Sequence, residues 1–311
     1  MKNNSKIQIG ESEVYTTKLG LGTNKVGGHN LYPNLDDKKG KEIIKTALDQ
    51  GISFLDTAFG YGFGRSEELI GQVLKNYPRN QVIIADKAGI GLNKNEAVVA
   101  DNTPKLLKHW VDLALQRLHT DYIDIFFIHH PDQKTPKDEA IAALAGEKKA
   151  GKIKAIGVSN FSLDQLKQAN QNNQVDIVED NYSLAYRDKE KTLFPYLKAH
   201  QISFSPYFPL ASGLLTGKYG LSDQSHFSRY HQYTKEEFSK IVQGVDALKP
   251  IAKKHQISVT QLVLAWYIKN PNISVVIPGA KNVKQVLDNA KALTVHLTGS
   301  EFKTIDNLFK F

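Results

Sequence analysis

The chain has 311 residues, 41% hydrophobic and 23% charged, an ordinary globular composition at a length that a (β/α)₈ barrel uses as one domain. It has no cysteine, which excludes disulfides, thiolate nucleophiles and zinc–sulfur sites. The net charge of +8 invites an anionic partner, but the lysines are scattered beside acids, as in DKEK (188–191), so a solvated surface explains them better than nucleic acid does.

The N-terminal MKNNSKIQIG is polar, without the apolar core of a signal peptide, and no apolar run approaches the roughly 18 residues of a membrane span. The expectation is a soluble cytoplasmic protein, with 1–311 as a single domain. KIQI (6–9) and EVYTT (13–17) are candidates for a small hairpin, and LGLGT (19–23) reads as the first strand. A helix over 36–51 follows, with Ile43, Ile44, Ala47 and Leu48 at helical spacing and Gly51 as a C-cap. Strand 52–56 leads to a helix over 66–76, for which Ser66 is the expected N-cap. Strand 81–87 leads to a helix over 103–118, with Pro104 in its first turn.

The alternation continues: strand 122–129 and helix 135–151, strand 153–160 and helix 162–171, strand 175–180 and helix 189–200. Strand 202–208 is followed by a long loop, a helix running toward KKH (253–255) and a helix over 259–270. Strand 273–279 and helix 282–293 complete the series. Eight strands too apolar to face water suit a parallel sheet covered on both sides, and eight favour a closed barrel over an open doubly wound sheet. LGLGTNKVGG (19–28) does not match the G-x-G-x-x-G of a dinucleotide-binding turn. SGLLTGKY (212–219) lacks the spacing of a phosphate loop.

In a barrel, chemistry gathers where the strands end. Asp56 ends the second strand, Lys87 the third, His129 the fourth, Ser159 and Asn160 the fifth; Glu179 lies in the sixth, Tyr207 ends the seventh, and Pro278-Gly279 end the eighth. Singly, each has an ordinary reading: a turn cap, a snorkelling lysine, a core histidine, a loop tyrosine. Gathered at one rim they describe chemistry. A lysine cation is expected to lower the pKa of the nearby Tyr61 phenol, Asp56 supplies its counter-ion, and His129 can polarise a carbonyl. No side chain donates hydride, so a nicotinamide cofactor is implied.

These residues resemble the aldo/keto reductase superfamily from about Lys18 to Ala292. The motifs are LDTAFGYGFGRSEELIG, the lysine of IIADK, YIDIFFIHHPD, GKIKAIGVSNF, YFPLASGLLTGKY and VVIPGAKNVKQVLDN. They are similar above all to bacterial members associated with inositol utilisation. The resemblance implies an NADPH-dependent reductase of aldehydes and ketones, reversible, with the catalytic tetrad Asp56, Tyr61, Lys87 and His129. Tyr61 would be the proton donor. It further implies cofactor contacts at Thr23, Asn24 and Asp56, with Ser159, Asn160 and Glu179 at the carboxamide and Tyr207 stacked on the nicotinamide. Leu210, Ser212, Gly213 and Lys218 would meet the pyrophosphate. Gly279, Lys281, Gln285, Asp288 and Asn289 would meet the adenosine, with Lys281 at the ribose 2′-phosphate favouring NADPH.

One position departs from the family pattern: many relatives carry glutamine where this chain has Glu179. A carboxylate there favours the oxidised, cationic ring, so Glu179→Gln is expected to tighten the reduced relative to the oxidised cofactor. The alternative reading, a nucleotide-binding regulatory barrel acting on a partner protein, has against it four intact tetrad positions. A metal-dependent hydrolase lacks any H-x-H or H-E-x-x-H pattern, and His129 and His130 as strand neighbours would face opposite ways. A short-chain dehydrogenase needs a Tyr-x-x-x-Lys pair, and none of the 13 tyrosines has lysine four residues on. No metal is expected. Nor are nucleic acid or membrane partners, and the protein is taken as a monomer. The pocket is assigned to 25–35, Phe59, Phe63, His130 and 220–233, and the substrate stays open.

Overall fold

Side-chain parity along the strands decides where everything in this molecule points. The computed structural model describes residues 6–92, 98–227 and 233–311. An antiparallel hairpin of β1 (Ile7–Gln8) and β2 (Tyr15–Thr16) precedes β3 (Gly20–Gly22), β4 (Phe54–Asp56) and β5 (Ile83–Ala88). A second hairpin, β6 (Ile90–Leu92) with β7 (Val98–Ala100), was not foreseen from the sequence. Then come β8 (Ile123–Ile128), β9 (Ile153–Ser159), β10 (Ile177–Asn181) and β11 (Ser203–Tyr207).

β3, β4, β5, β8, β9, β10 and β11 form one parallel sheet in that order. The expected eighth strand is too irregular for a continuous ladder, yet it closes the ring. Val276 pairs with Leu19 and Gly279 with Gly22, both parallel, and Ser274 N–H donates to Phe204 O at 2.8 Å on the other side. The architecture is the (β/α)₈ barrel.

Two apolar layers follow from the pleat. Phe54, Ile83, Ala85, Ile125, Phe127, Ala155, Ile177, Val275 and Ile277 fill the barrel, and Ile9 and Val14 of the hairpin plug its N-terminal end. The alternate strand residues face outward and pack under the helices. The helices begin where their capping chemistry permits. Asp36 accepts from Lys38 N–H and Lys39 N–H to start Asp37–Asp49, and Ser162, Thr234, Ser258 and Thr298 each form a capping box. The last of these starts Gly299–Asn307, a helix that the apolar spacing did not suggest.

Two expectations are corrected. Ser66 does not cap: helix Arg65–Leu74 starts after Gly64, whose φ of +98° turns the chain, and Ser66 Oγ is buried on Thr23 Oγ1 at 2.9 Å. The helix over 189–200 is two pieces, Lys189–Thr192 and Phe194–Ala199, because Pro195 has no N–H with which to continue the first. Among the described residues, no helix is long and apolar enough to cross a membrane.

Inner-layer volume leaves little slack. A Cβ on Gly157 of β9 would stand 2.3 Å from Phe127 Cδ1. Gly157→Ala is therefore expected to destabilise by about 1–3 kcal/mol, read as a lower urea midpoint; an unchanged midpoint would show that Phe127 has room to move.

Candidate active site

Continuing the inward parity to the strand ends places a polar side chain two residues beyond the last inward position of each of these strands. Asp56 follows Phe54, Lys87 follows Ala85, Ser159 follows Gly157, Glu179 follows Ile177 and Tyr207 follows Ser205; His129, just past β8, follows Phe127. The barrel mouth thus collects the residues singled out from the sequence.

Lys87 is fully buried at its centre. Its three ammonium protons meet three acceptors: Asp56 Oδ1 in close contact, Thr57 O at 3.2 Å and Glu179 Oε2 at 3.3 Å. Asp56 and Glu179 are buried too. Burial opposes the charge on Lys87, but the two carboxyl groups outweigh it and hold the ammonium above its ordinary range. Burial raises Asp56 against the pull of Lys87. Burial first, and Asp56 second, push the Glu179 carboxyl up to about 8.

Tyr61 sits in the loop after β4, which the loop after β3 clamps: Asn30 Nδ2 donates to Gly60 O at 3.1 Å, and Gly62 N–H donates to Asn30 Oδ1 at 2.8 Å. Gly62 has to be glycine, since its φ is +76° and a Cβ would lie 2.0 Å from Gly27 O. Lys87 Nζ is 5.8 Å from the Tyr61 ring centre, and the His129 ring stands edge-on to Tyr61 at 6.3 Å. The expected lowering of the Tyr61 pKa is reversed. Burial raises it, Lys87 pulls it down, and Asp56 and Glu179 push it up again.

His129 is driven well below its usual pKa, first by burial and then by Lys87 and His130, so its imidazole is neutral and has one N–H to donate. The two histidines do not face opposite ways. The chain has left β8, and their rings stack at 4.4 Å and 13°. No group of three or more potential metal ligands occurs among the described residues.

Asn160, at φ +62°, ties the rim together. Its Nδ2 donates to His129 O at 3.1 Å and to Ser159 Oγ at 2.9 Å, and its Oδ1 accepts from the Tyr207 hydroxyl at 2.8 Å. Beyond the half-buried Tyr207, Leu210 has φ −101° while Ala211, Ser212 and Gly213 have φ of 47, 55 and 102°, a left-handed turn in which the Ala211 and Gly213 N–H groups donate to Phe208 O and Leu210 O, each at 2.8 Å. Lys218 is exposed beyond it. Thr23 is fully buried and donates from Oγ1 to Asp56 O at 2.8 Å; Asn24 bonds Tyr32. Lys281 is exposed, its N–H donating to Gln285 Oε1 at 2.8 Å; Asp288 pairs with Lys284 and Lys291, and Asn289 is buried. Gly279 bridges to Gly22.

An aromatic face, amide and hydroxyl groups, and exposed lysines beyond them are a donor set suited to an extended nicotinamide nucleotide. Such a mouth on a (β/α)₈ barrel defines a nucleotide-dependent oxidoreductase. The chain belongs to the aldo/keto reductase family, whose model matches residues 18–310. It is 34% identical to the aldo-keto reductase YhdN of Bacillus subtilis (strain 168) over 89% of this chain and 85% of that protein. It is 32% identical to an NADH-specific methylglyoxal reductase of Escherichia coli (strain K12) over 95% of each. The structure of glycerol dehydrogenase AKR11B4 from Gluconobacter oxydans superposes with a TM-score of 0.88 at 32% identity, covering 99% of this chain and 95% of the other. These similarities support carbonyl reduction with a nicotinamide cofactor, and do not single out the inositol-associated subgroup.

Phe59 anchors its loop on Trp110 at 4.2 Å between ring centres, whereas Phe63 is 58% exposed. Segment 220–233 includes 228–232, which lie outside the described residues. Lys25 falls in the segment assigned from the sequence to the substrate pocket, and its place beside Lys281 was not foreseen. Its pKa is lowered by burial and then by Lys281, so the two cations share one side of the mouth. Its place directly after Thr23-Asn24 was the available signal. Behind the site, outward-facing Asp86 meets buried Glu67, which Arg117 grips at 2.8 and 3.0 Å.

The depressed His129 pKa carries a sign. The unfolded chain binds a proton below about pH 6.5 that the folded site refuses, so this residue makes stability rise with pH through that range. Imidazole NMR should show His129 still neutral at pH 6, where exposed histidines are protonating; an ordinary titration would contradict the buried geometry.

Proposed function

We propose that the protein is an NADPH-dependent reductase of small aldehydes and ketones, working as a cytoplasmic monomer, with Asp56, Tyr61, Lys87 and His129 as its reacting set. The observation that carries this is the buried Lys87 ammonium, held by Asp56 and Glu179 within reach of Tyr61 and beside a neutral His129. When bound, the nicotinamide cofactor supplies the hydride. The neutral His129 donates a hydrogen bond to the carbonyl oxygen and orients it. Tyr61 holds the proton that the oxygen receives, and its high pKa in the closed site keeps that proton in place until oxyanion character develops. Lys87 stabilises the phenolate left behind, and Asp56 and Thr23 hold Lys87 and the end of β4 in register.

In the same reading, Tyr207 would stack on the nicotinamide, Ser159 and Asn160 would take the carboxamide, and the segment carrying Leu210, Ser212 and Gly213 would meet the pyrophosphate with Lys218. Asn24, Gly279, Gln285, Asp288 and Asn289 would frame the adenosine. Lys25 and Lys281 place two positive charges where a 2′-phosphate would enter, which supports NADPH over NADH.

Tyr61→Phe is expected to lower the rate of NADPH oxidation with an aldehyde and ketone panel by about 10²–10⁴-fold while leaving NADPH affinity in place. Retained activity would remove Tyr61 as the donor. Lys281→Ala should weaken NADPH by about tenfold or more and NADH hardly at all, corresponding to one charge-assisted contact; equal weakening of both would place the 2′-phosphate elsewhere.

A further inference from the structure

The barrel mouth holds one carboxyl group more than its cation balances. Lys87 contributes +1 and, fully ionised, Asp56 and Glu179 contribute −2, a net −1 at 0, 2 and 3% exposure respectively. Among the described residues, Lys87 is the one cation in ion-pair range of Glu179, at 3.3 Å, and it is already in close contact with Asp56. An unpaired buried carboxylate is costly, and binding one proton removes that charge.

No neighbour supplies or absorbs the missing charge. Tyr61, from the loop after β4, keeps its proton. His129 and His130, after β8, are neutral at neutral pH. Ser159 on β9 and Ser205 on β11 do not titrate in the working range, and the Tyr207 phenol is raised by burial and by Asp180 and Glu179. Among the described residues that face Lys87 at the mouth, this leaves the Asp56–Glu179 pair to take up the proton.

Resting on the reading that this mouth takes a nicotinamide nucleotide, we infer that Asp56 and Glu179 share one proton across the Lys87 ammonium, kept beside the neutral reduced ring and released beside the cationic oxidised ring. Glu179 is then a positioning residue that matches the charge of the site to the charge of the cofactor. Protonated, it presents a neutral carboxyl group, comparable in charge to a glutamine. Ionised, it faces the positive ring with a negative charge that glutamine cannot offer. The balance closes on each side: a neutral ring with a neutral triad, or a ring of +1 with a triad of −1 and one proton handed to the surroundings. During a reduction, the Tyr61 phenolate is the nearest base for that proton, and its return restores the phenol for the next turnover.

The test is nucleotide binding, with no turnover involved. NADPH and NADP⁺ are titrated calorimetrically against wild type, Glu179→Gln and Glu179→Asp from pH 6 to 9, in two buffers of different ionisation enthalpy. Taking the ratio of the two dissociation constants cancels the titration of the 2′-phosphate that both nucleotides carry. For wild type, NADP⁺ should tighten relative to NADPH as pH rises through the titration of the pair. NADP⁺ prefers the deprotonated pair, so its relative affinity grows with pH by up to about tenfold per unit within the window, with proton release on binding at its acid end. Glu179→Gln should flatten this slope and abolish the release, whereas Glu179→Asp, which keeps a carboxyl, should preserve both.

A flat wild-type ratio, or a slope that survives in Glu179→Gln, would overturn the shared proton while leaving the reductase reading intact. Failure of wild type to bind either nucleotide would overturn the site reading itself, and this inference with it.

Discussion

A lysine ammonium buried at the top of an apolar barrel is the constraint from which the site follows. An isolated charge there would lose its proton or disrupt the fold. Lys87 instead finds three oxygens, from the end of β4, the residue after it and the middle of β10. Those acceptors come from strands that are not neighbours in sequence, so the ion pairing that keeps Lys87 charged also fixes the mouth of the barrel. The phenol and imidazole chemistry is arranged around that fixed cation, and their protonation states are set by its burial and charge.

The same strand that delivers Lys87 inward delivers Asp86 outward, and there the problem recurs with the opposite sign. Glu67 is fully buried, and burial, then Asp86, pushes it up to about 9, while Asp86 itself is raised to about 6. Arg117 grips Glu67 with two hydrogen bonds, and Asp86 Oδ1 accepts the Lys87 backbone N–H at 2.8 Å. A polar layer under the helices therefore buttresses the peptide that carries the central lysine. The first helices are tied in as well, since Ser66, Thr23 and Thr57 form a buried hydroxyl cluster beneath the Asp56 turn.

Much of this was legible beforehand because strand parity is local. Once Phe54, Ala85, Phe127 and Ile177 are assigned inward, Asp56, Lys87, His129 and Glu179 must follow two residues on. Helix ends were legible where caps are chemical, as at Asp36 and Ser162, and misread at Ser66, where glycine geometry took the capping position and the serine was needed inside. The second hairpin and the C-terminal helix escaped because neither carries a long apolar period. The place of Lys25 beside Lys281 escaped because only the closed ring brings the loop after β3 there.

By itself, the sequence determined the eightfold alternation, the closed barrel and the gathering of polar residues from six of the eight strands at a single rim, since periodicity and order along the chain suffice for these. Tertiary structure alone decided the charge state of that rim. Whether Lys87 lowers the Tyr61 pKa depends on where Asp56 and Glu179 stand around it and on how little water reaches them. Coulomb energies at a few ångströms in a dry interior turn on distances that no spacing in the sequence encodes.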